Sequence, residues 1–531
     1  MSPNLGSPNL GERIDAALAE ALGHFGAGRL AEAAAIGRQV LTLQPKLAQA
    51  LHLMGIIALK DGRGDEAVRL IGQAVMLDDR VATYHNSLGQ AHRAQGAKAE
   101  AIACYERALS IKPNFAPAHG NIAQVLVEGD LAVAVAYYRR LVAALPHNAL
   151  ARANFGYMVE RTGATEAAVE IYRQALALDP NQPVALGNLG VALADLGRID
   201  EAMGCYRQAL EFDPNNADAH NGLGLALLLT GDYAAAWPHH EYRPRDWVGE
   251  FAIPRWKGEP LAGQRILLHA EQGMGDTLQF VRYVPLVAAR GGRVVLATVP
   301  ALAPLFDGMP GVDELVTGTR PPGDLAWHCP LMSLPLAFGT TRDTIPGPWP
   351  YLRAPADRLA PWRARVGGDG AFKVGLVWQG QPKLRRDRDR SLPPAALAPL
   401  AGIAGVRYYA LQKTPAGSGF ADLPTALEAT DLAENFSDYA ETAAALMALD
   451  LVVTVDTSVA HLAGALGRPA WLLISKVPDW RWGERGSDSP WYPSIRLFRQ
   501  TVAGVWDGVI ADVARALVEK IPHPIPTPHT D

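Results

Sequence analysis

Small and apolar positions in the first half of the chain return every 33 or 34 residues. Seven glycines mark this period: Gly28, Gly62, Gly96, Gly129, Gly163, Gly197 and Gly231. Alanines keep step with the glycines, and a proline closes most of the units. Each unit therefore predicts a helix, a glycine turn, a second helix and a proline stop.

A further small residue recurs within the first helix of each unit, and a tyrosine recurs within the second helix. The small residues are Gly55, Gly89, Ala123, Gly156, Gly190 and Gly224, and the tyrosines are Tyr105, Tyr138, Tyr172 and Tyr206. A close helix crossing needs a missing side chain, and a bulky ring can fill the space beside it. The pattern and its period resemble the tetratricopeptide repeat. The resemblance implies an α-solenoid over residues 12–242 with a concave inner surface.

After residue 242 the pattern changes, and short apolar runs with strand character alternate with helical segments. The predicted strands cover residues 265–270, 293–299, 314–316, 325–328, 372–378, 406–411, 451–455 and 470–474. Such alternation is typical of parallel sheets covered by helices. A break rich in Pro, Arg and Gly divides the region. We expect an α/β fold of two Rossmann-like halves, 264–368 and 369–521, with a cleft between them.

Two further segments complete the predicted domain organisation. Residues 243–263 are predicted to be an ordered linker, because Trp247 and Trp256 favour burial. Residues 522–531 are predicted to be a flexible tail, because they contain too few apolar side chains to fold.

A glycine loop lies between the first predicted strand and the helical segment that follows it. Gly273 and Gly275 would let a ligand approach the backbone, and the helix start points free amides at that position. Asp276 and Thr277 at the mouth of the loop have two explanations. They are either functional groups or simple caps of the helix.

A basic stretch follows the predicted strand at 372–378. Its candidates for binding a phosphate are Gln379, Lys383, Arg386, Arg390 and Ser391. The planar guanidinium of an arginine can donate to two phosphate oxygens at once, and the ammonium of a lysine supplies a compact positive charge. The alternative is a solvated loop with internal Asp–Arg pairs. Asp387 and Asp389 also match a short DxD metal motif, but among so many arginines we expect them to be paired rather than to bind a metal.

The predicted strand at 451–455 leads into Asp456 and a helix that opens at Thr457 and Ser458. The hydroxyls and free amides of such a helix start can hold an anion, and Asp456 could bond to sugar hydroxyls. His461 lies one turn further on the same side. It is either part of this site or a structural histidine that packs against the opposite half.

Composition and charge narrow the class of protein. Apolar residues make up 49% of the chain and charged residues 19%, as in a globular protein. The net charge of −5 argues against a general nucleic-acid binder. The cysteines are not spaced as a metal or redox pair. We expect a cytoplasmic protein, because there is neither an apolar run long enough to span a membrane nor a secretion signal within residues 1–11.

The two loops together resemble the signatures of the heptosyltransferase-like, family nine-like glycosyltransferases, which have the GT-B fold. The matching segments are Gly273-Met-Gly-Asp-Thr277 and Val455-Asp-Thr-Ser-Val-Ala-His-Leu-Ala463. The resemblance covers residues 264–520 and implies a catalytic base at Asp276. The donor contacts it implies are Asp456, Thr457, Ser458 and Val459. The family's phosphate-binding lysine does not align cleanly, so Lys383, Arg386, Arg390 or Ser391 could replace it.

Joined to tetratricopeptide repeats, such a domain resembles bacterial flagellin glycosyltransferases. The resemblance implies an inverting, metal-independent enzyme without a cofactor, whose repeats bind the acceptor protein, with flagellin expected. It would transfer a sugar from a nucleotide-sugar to Ser or Thr. A nonulosonic acid such as pseudaminic acid on a CMP-linked donor is one option.

Three asparagines stand two residues before the small residue in the first helix of their units. They are Asn121, Asn154 and Asn188. The O-linked N-acetylglucosamine transferases carry such a ladder in their acceptor groove, and an amide can bond to a peptide backbone in both directions. The alternative is a plain solvated face of the helix.

Two other functions stay open at this point. The acceptor could be lipopolysaccharide or another glycan, or the domain could be an inactive GT-B scaffold for protein–protein interaction. The intact Asp276 and Asp456 favour an enzyme. The segments 478–486 and 490–493 would supply donor or acceptor contacts, although Trp480 and Trp482 within them could be strand core.

Overall fold

The computed structural model describes residues 10–244, 253–318, 323–347, 349–368, 370–381, 387–413 and 419–521. By its internal contacts the chain forms two compact units. The first comprises Met1–Leu196 with Gly204–Pro214, and the second comprises Gly197–Met203 with Asn215–Asp531. The domain bounds expected from the sequence stay predictions.

Residues 10–244 form helix pairs, as the repeat pattern predicts. The fourteen helices described there are α1 (Leu10–Gly26), α2 (Leu30–Leu43), α3 (Ala48–Lys60), α4 (Gly64–Leu77), α5 (Ala82–Ala94), α6 (Lys98–Ile111), α7 (Ala116–Val127), α8 (Leu131–Ala144), α9 (Ala149–Arg161), α10 (Thr165–Leu178), α11 (Pro183–Asp195), α12 (Ile199–Phe212), α13 (Ala217–Thr230) and α14 (Tyr233–His240). Six of the seven periodic glycines turn the chain between paired helices with φ from 76° to 94°, a conformation that glycine adopts without strain. Gly129 is the exception. The predicted solenoid is confirmed, and α13 and α14 belong to the second unit.

Within the first unit, glycines let paired helices cross closely against tyrosine rings. A Cβ added to Gly156 would lie 2.6 Å from the Tyr172 ring, and one added to Gly190 would lie 2.5 Å from the Tyr206 ring. Tyr172 is fully buried. The ring therefore occupies the volume that the glycine leaves empty, which confirms the predicted pairing.

Replacing Gly190 by alanine is expected to destabilise the first unit by about 1–3 kcal/mol, the usual cost of an overpacked core. Gly187→Ala on the same helix, α11, is the matched control, because a Cβ there meets nothing within 4 Å. That variant should be more stable than the wild type by up to about 1 kcal/mol, since alanine favours helix over glycine. Denaturant unfolding of both variants measures the difference, and equal midpoints would contradict the close-crossing explanation.

The second unit is α/β and contains two parallel sheets. Its strands are β1 (Arg265–His269), β2 (Arg293–Thr298), β3 (Glu314–Thr317), β4 (Trp327–Pro330), β5 (Phe372–Val377), β6 (Val406–Ala410), β7 (Thr430–Asp431), β8 (Leu451–Val455), β9 (Ala470–Ile474) and β10 (Ile495–Arg499). The first sheet has the order β3-β2-β1-β4, and the second has the order β10-β9-β8-β5-β6-β7. All neighbouring strands in both sheets run parallel. The predicted α/β fold is thereby confirmed.

The second sheet has the strand order of a doubly wound fold. Counted from β5, its strands read 6-5-4-1-2-3 across the sheet, so the chain reverses direction between β5 and β8. The first sheet reverses in the same way between β1 and β4. Ligands of such sheets bind beyond the carboxyl ends of the strands at the reversal. The residues that follow β1, β5 and β8 are therefore in position to form a site.

Nine further helices follow α14 in the described part of the second unit, and several of them pack on these sheets. They are α15 (Met274–Phe280), α16 (Val284–Ala289), α17 (Ala303–Phe306), α18 (Leu334–Ala337), α19 (Ala356–Val366), α20 (Asp387–Arg390), α21 (Tyr439–Met447), α22 (Ser458–Ala465) and α23 (Asp507–Lys520). Helix α19 occupies the break that the sequence predicted between the two halves. Across all helices in the described part of the chain, none combines the length and apolar character that a membrane crossing requires.

The strand interpretation of Trp480 and Trp482 is wrong. Trp480–Trp482 form one turn of 3-10 helix, because the Asp479 side chain accepts a hydrogen bond from the backbone of the turn at 3.0 Å and Gly483 ends it with a positive φ of 62°. Both indoles are nevertheless buried. Trp256 of the predicted linker is also buried, whereas Trp247 lies outside the described residues.

Candidate active site

Asp276 lies in the first turn of α15, just beyond the carboxyl end of β1. Its Oδ2 accepts a hydrogen bond from the Gly273 backbone N–H at 2.9 Å. Gln272, one residue earlier, has a φ of 57°, which a non-glycine residue rarely adopts. Thr277 is buried behind the loop. Asp276 thus caps its helix, but the cap uses only one of its two oxygens.

The other oxygen of Asp276 accepts a hydrogen bond from the guanidinium of Arg481. The Asp276 side chain keeps 17% of its surface exposed, and that of Arg481 keeps 9%. Burial raises the pKa of the Asp276 carboxyl, and the charge of Arg481 opposes that rise. Asp276 is therefore an ionisable group that keeps part of its surface exposed.

Arg481 lies among three carboxylates. It donates to Asp479 Oδ1 through Nη1 at 2.9 Å, and its guanidinium covers the Trp480 ring at 4.4 Å from the centroid. Burial lowers the pKa of Arg481, but the charges of Asp479, Asp276 and Asp456 outweigh this effect and raise it. The ion cluster brings together the ends of β1 and β8.

Arg481 itself was not among the residues predicted from the sequence. The segment 478–486 stood out only by its composition, in which a cation lies between two tryptophans and two residues after an acid. Its partner Asp276 is 205 residues away along the chain. Only the fold places the two side chains in contact.

Asp456 follows β8 directly, at the reversal of the second sheet. Burial, together with the nearby Asp479 carboxylate, raises the pKa of Asp456 to about 6, while Arg390 lowers it. Arg390 also donates through Nη1 to the backbone oxygen of Asp456 at 3.0 Å. Two of the predicted donor-binding residues are thus neighbours in the fold.

Asp456→Asn is expected to raise the thermal stability of the protein near neutral pH. In the folded state the pKa of this carboxyl is raised to about 6. The folded protein therefore favours the protonated carboxyl, and its stability falls as the pH rises toward and through 6 and the carboxyl ionises. Asparagine imitates the neutral form at every pH. The melting temperature of the variant should therefore exceed that of the wild type increasingly between about pH 4 and 7. A difference that does not change with pH would contradict this expectation.

The start of α22 carries the other predicted donor contacts. Thr457 is the N-cap, and no side chain among the described residues caps the helix there. The first backbone amides are therefore available to an anion. Ser458 Oγ lies 2.6 Å from Tyr439 OH, which fixes its hydroxyl beside this helix start. Val459 is half-buried.

His461 on α22 packs against the glycine loop of the other half. A Cβ on Gly275 would lie 2.8 Å from the His461 ring, so α15 and α22 approach each other only because Gly275 has no side chain. His461 Nδ1 lies 2.8 Å from Tyr492 OH. Burial lowers the pKa of His461 well below its usual value, helped by nearby arginines. These contacts favour the structural explanation of this histidine, and its role in donor binding stays a prediction.

The basic stretch after β5 is described only in part. Lys383 and Arg386 lie outside the described residues, so their contact with phosphate stays a prediction. Gln379 follows β5, and its backbone N–H donates to Gln412 Oε1 at 2.9 Å. This bond fixes the chain where it leaves the strand.

Asp387 of the DxD motif is buried and paired, as expected. Arg390 Nε donates to Asp387 Oδ1 at 3.0 Å, and Ser391 Oγ donates to Asp387 Oδ2 at 3.1 Å. Ser391 Oγ also accepts a hydrogen bond from the Gly380 backbone at 2.9 Å. In the ranges that the structure covers, no group of three or more His, Cys, Asp or Glu side chains is placed to hold a metal ion.

A cavity of about 200 Å³ lies beside Trp482 within the second unit. Leu228, Tyr233 and Pro490 supply apolar walls, and Arg485 supplies a cation. Trp482 also packs 5.4 Å from the His461 ring. Trp482 directly follows Arg481 in the chain, so the cavity lies next to the segment that supplies the cation of the cluster.

In the first unit, the predicted groove asparagines differ in their contacts. Asn121 Nδ2 donates to Asn86 Oδ1 at 2.9 Å, which joins two successive repeats. Asn154 is 6% exposed, and its Nδ2 has no partner among the described residues. Asn188 is half-buried. The asparagines do not form a plain solvated face, and their role in acceptor binding stays a prediction.

Comparison with known proteins identifies the repeats. Family profiles described as tetratricopeptide or TPR repeats match residues 82–115, 126–183, 161–207 and 192–231. Protein FlbA of Caulobacter vibrioides is 31% identical over 327 residues, which are 55% of this chain and 53% of FlbA. The chain thus spans about half the length of the curated relative that it matches.

Solved structures also match, at low similarity. A thermophilic TPR protein of Thermus thermophilus is 22% identical, and the match covers 41% of this chain and 100% of that protein with a TM-score of 0.27. YrrB, a TPR protein with an unusual peptide-binding site, is 20% identical, and the match covers 34% of this chain and 95% of YrrB with a TM-score of 0.22. With the profile matches and the helix pairs, the conclusion is that the N-terminal region of this chain consists of tetratricopeptide repeats.

Proposed function

We propose that this chain is a protein O-glycosyltransferase whose second unit contains a GT-B-like catalytic part. The observation that carries the proposal is the ion cluster around Arg481. Arg481 pairs with Asp276, which follows β1, and lies close enough to Asp456, which follows β8, to interact with its charge. Each of these loops lies where the strand order of its sheet reverses. Open α/β sheets bind their ligands at such points.

The donor is a nucleotide-sugar bound on the β8 side of the cluster. The uncapped start of α22 favours a negatively charged phosphate, through both its amides and the helix dipole. Arg390 adds a cation, held beside Asp456 by its bond at 3.0 Å. Asp456 accepts hydrogen bonds from sugar hydroxyls. Lys383 and Arg386 of the basic stretch complete the phosphate contacts.

Asp276 is the catalytic base. It takes the proton of an acceptor Ser or Thr hydroxyl while the hydroxyl oxygen forms a bond to the anomeric carbon of the sugar. The bond from that carbon to the phosphate oxygen breaks, and its electron pair leaves with the nucleotide phosphate. Direct displacement inverts the anomeric centre. The helix start and Arg390 stabilise the departing phosphate in place of a metal ion.

The repeats bind the acceptor, for which we propose flagellin. Solenoid repeats offer extended surfaces for protein partners, and flagellin follows from the resemblance of the two-part chain to flagellin glycosyltransferases. Asn121 and Asn188 are half-buried, and their amides are able to bond to a peptide backbone, whereas the Asn154 amide is buried. We propose a nonulosonic acid such as pseudaminic acid, carried by CMP, as the donor sugar, and the cytoplasm as the place of reaction.

Calorimetric titration of the purified protein with CMP- and ADP-linked sugars, and separately with flagellin, tests the proposal. Binding of both a nucleotide-sugar and flagellin is expected. Flagellin binding without any nucleotide-sugar binding would support an inactive scaffold instead. Transfer to a glycan or lipid acceptor but not to flagellin would support a heptosyltransferase-like reaction.

A further inference from the structure

We propose that Arg481 is a positioning residue, which keeps Asp276 ionised and in one orientation where the ends of β1 and β8 meet. The inference rests on the proposed function for the role of Asp276 as a base. The role of Arg481 rests on its own contacts and on the charges around it.

Three contacts fix the Arg481 guanidinium independently of Asp276. Nε donates to Gln279 Oε1 at 2.5 Å, Nη1 donates to Asp479 Oδ1 at 2.9 Å, and the guanidinium lies 4.4 Å from the centre of the Trp480 ring. Gln279 and Asp276 are neighbours on one face of α15, so the guanidinium holds this helix at two points. A planar Arg fork is preorganised for several directed bonds, and a Lys ammonium is not.

Two further carboxylates lie close to Asp276 or to its partner Arg481. Asp479 faces it from the segment of Arg481, and Asp456 faces the cluster from the end of β8. Arg390 lies beside Asp456 and is paired with Asp387 on α20, and the imidazole on α22 is neutral. Among the described residues, Arg481 is the cation in ion-pair contact with Asp276.

Without Arg481, burial and the Asp479 charge would favour the protonated acid at position 276. A protonated carboxyl cannot accept the proton of a hydroxyl. The base would then work only at higher pH, and its side chain would keep the bond from the Gly273 amide but lose the bond from Arg481.

Arg481→Gln tests the inference, since glutamine keeps polar contacts and removes the charge. The pKa of Asp276 is read in the full-length protein from the ¹³C resonance of labelled aspartate, assigned by its loss in Asp276→Asn. We expect that pKa to rise by about one unit or more in Arg481→Gln, the scale of a lost adjacent charge. Arg481→Lys should give a smaller rise. An unchanged pKa in Arg481→Gln would overturn the inference. If that variant does not fold, Arg481→Met, which also removes the charge and keeps an apolar contact over the Trp480 ring, is measured instead with the same two outcomes.

Arg499→Gln is the matched control. Arg499 secures the same segment by donating to the backbone oxygens of Trp482 at 2.6 Å and Gly483 at 2.9 Å. Its loss should loosen the segment without moving the pKa of Asp276. An equal rise in Arg499→Gln and Arg481→Gln would mean that packing, and not the charge of Arg481, sets this pKa.

Transfer assays distinguish this inference from the proposed function. The acid limb of the pH–rate profile should move upward in Arg481→Gln by the same amount as the pKa. Full activity of Asp276→Asn would refute the proposed base. Inactivity of Asp276→Asn, combined with an unmoved pKa in Arg481→Gln, would refute only the role of Arg481.

Discussion

Asp276→Asn is expected to lower the rate of sugar transfer by roughly 10²–10⁴-fold, the contribution of a positioned general base. Asparagine preserves the size of the side chain and an oxygen for the Gly273 amide, which bonds to Asp276 at 2.9 Å, but it cannot take a proton. The affinity for the donor should change little, because the base acts on the acceptor hydroxyl in the transition state. Measurements of kcat with flagellin and of donor Kd by calorimetry separate the two effects.

Asp479→Asn is the control for this experiment. This variant removes the carboxylate of Asp479, which also pairs with Arg481, at 2.9 Å. The Asp479 side chain is 36% exposed. We expect it to lower the rate by less than about tenfold, equivalent to about 1.4 kcal/mol. Both variants must retain the wild-type melting profile. Equal losses of activity would show that the charge of the cluster, and not a base at position 276, supports transfer.

Arg282→Met is expected to destabilise the second unit by roughly 2–6 kcal/mol. Arg282 is buried. It donates to the buried carbonyls of Gln279 and Trp491, at 2.7 and 3.1 Å, and to the part-buried Tyr351 OH at 3.1 Å. Each buried acceptor left without its donor costs about 1–3 kcal/mol. The guanidinium also lies 4.5 Å from the centre of the Trp349 ring and 5.0 Å from that of the Tyr492 ring. Methionine would replace the apolar contacts but not the donors.

Arg290→Met provides the comparison for Arg282. Arg290 is exposed, donates to the Gly258 carbonyl at 2.8 Å and lies 5.3 Å from the centre of one ring, that of Phe338. Its loss should cost about 1 kcal/mol or less, as for an exposed cation–π pair. Urea unfolding followed by tryptophan fluorescence measures both variants. A similar loss for both would mean that Arg282 is not a central contact of this unit.

The repeats could be predicted from the sequence because their contacts are local and recur. Gly190 meets Tyr206 within one helix pair, and the same contact returns in neighbouring pairs. The loops after β1 and β8 were predictable for a related reason, since an apolar run, a turn and a helix follow each other directly in the chain. Strand β10 was missed because charged residues interrupt its apolar positions, as Arg496 does beside the buried Leu497.

The contacts that complete the candidate site could not be predicted from the sequence, because they join segments that are distant along the chain. Arg481 meets Gln279 across 202 residues and Asp276 across 205. The close approach of His461 to Gly275 likewise depends on how α15 and α22 pack. Sequence patterns locate the loops, and only the fold decides which side chains of different loops meet.

Intact-mass spectrometry of flagellin tests the central claim most directly. Flagellin would be compared from cells with this protein, from cells lacking it, and from cells carrying Asp276→Asn at the same protein level. We predict a mass increase of one or more sugar units per flagellin with the wild-type protein, and the unmodified mass in the other two strains. Full sugar modification of flagellin in cells that lack the protein would contradict the claim.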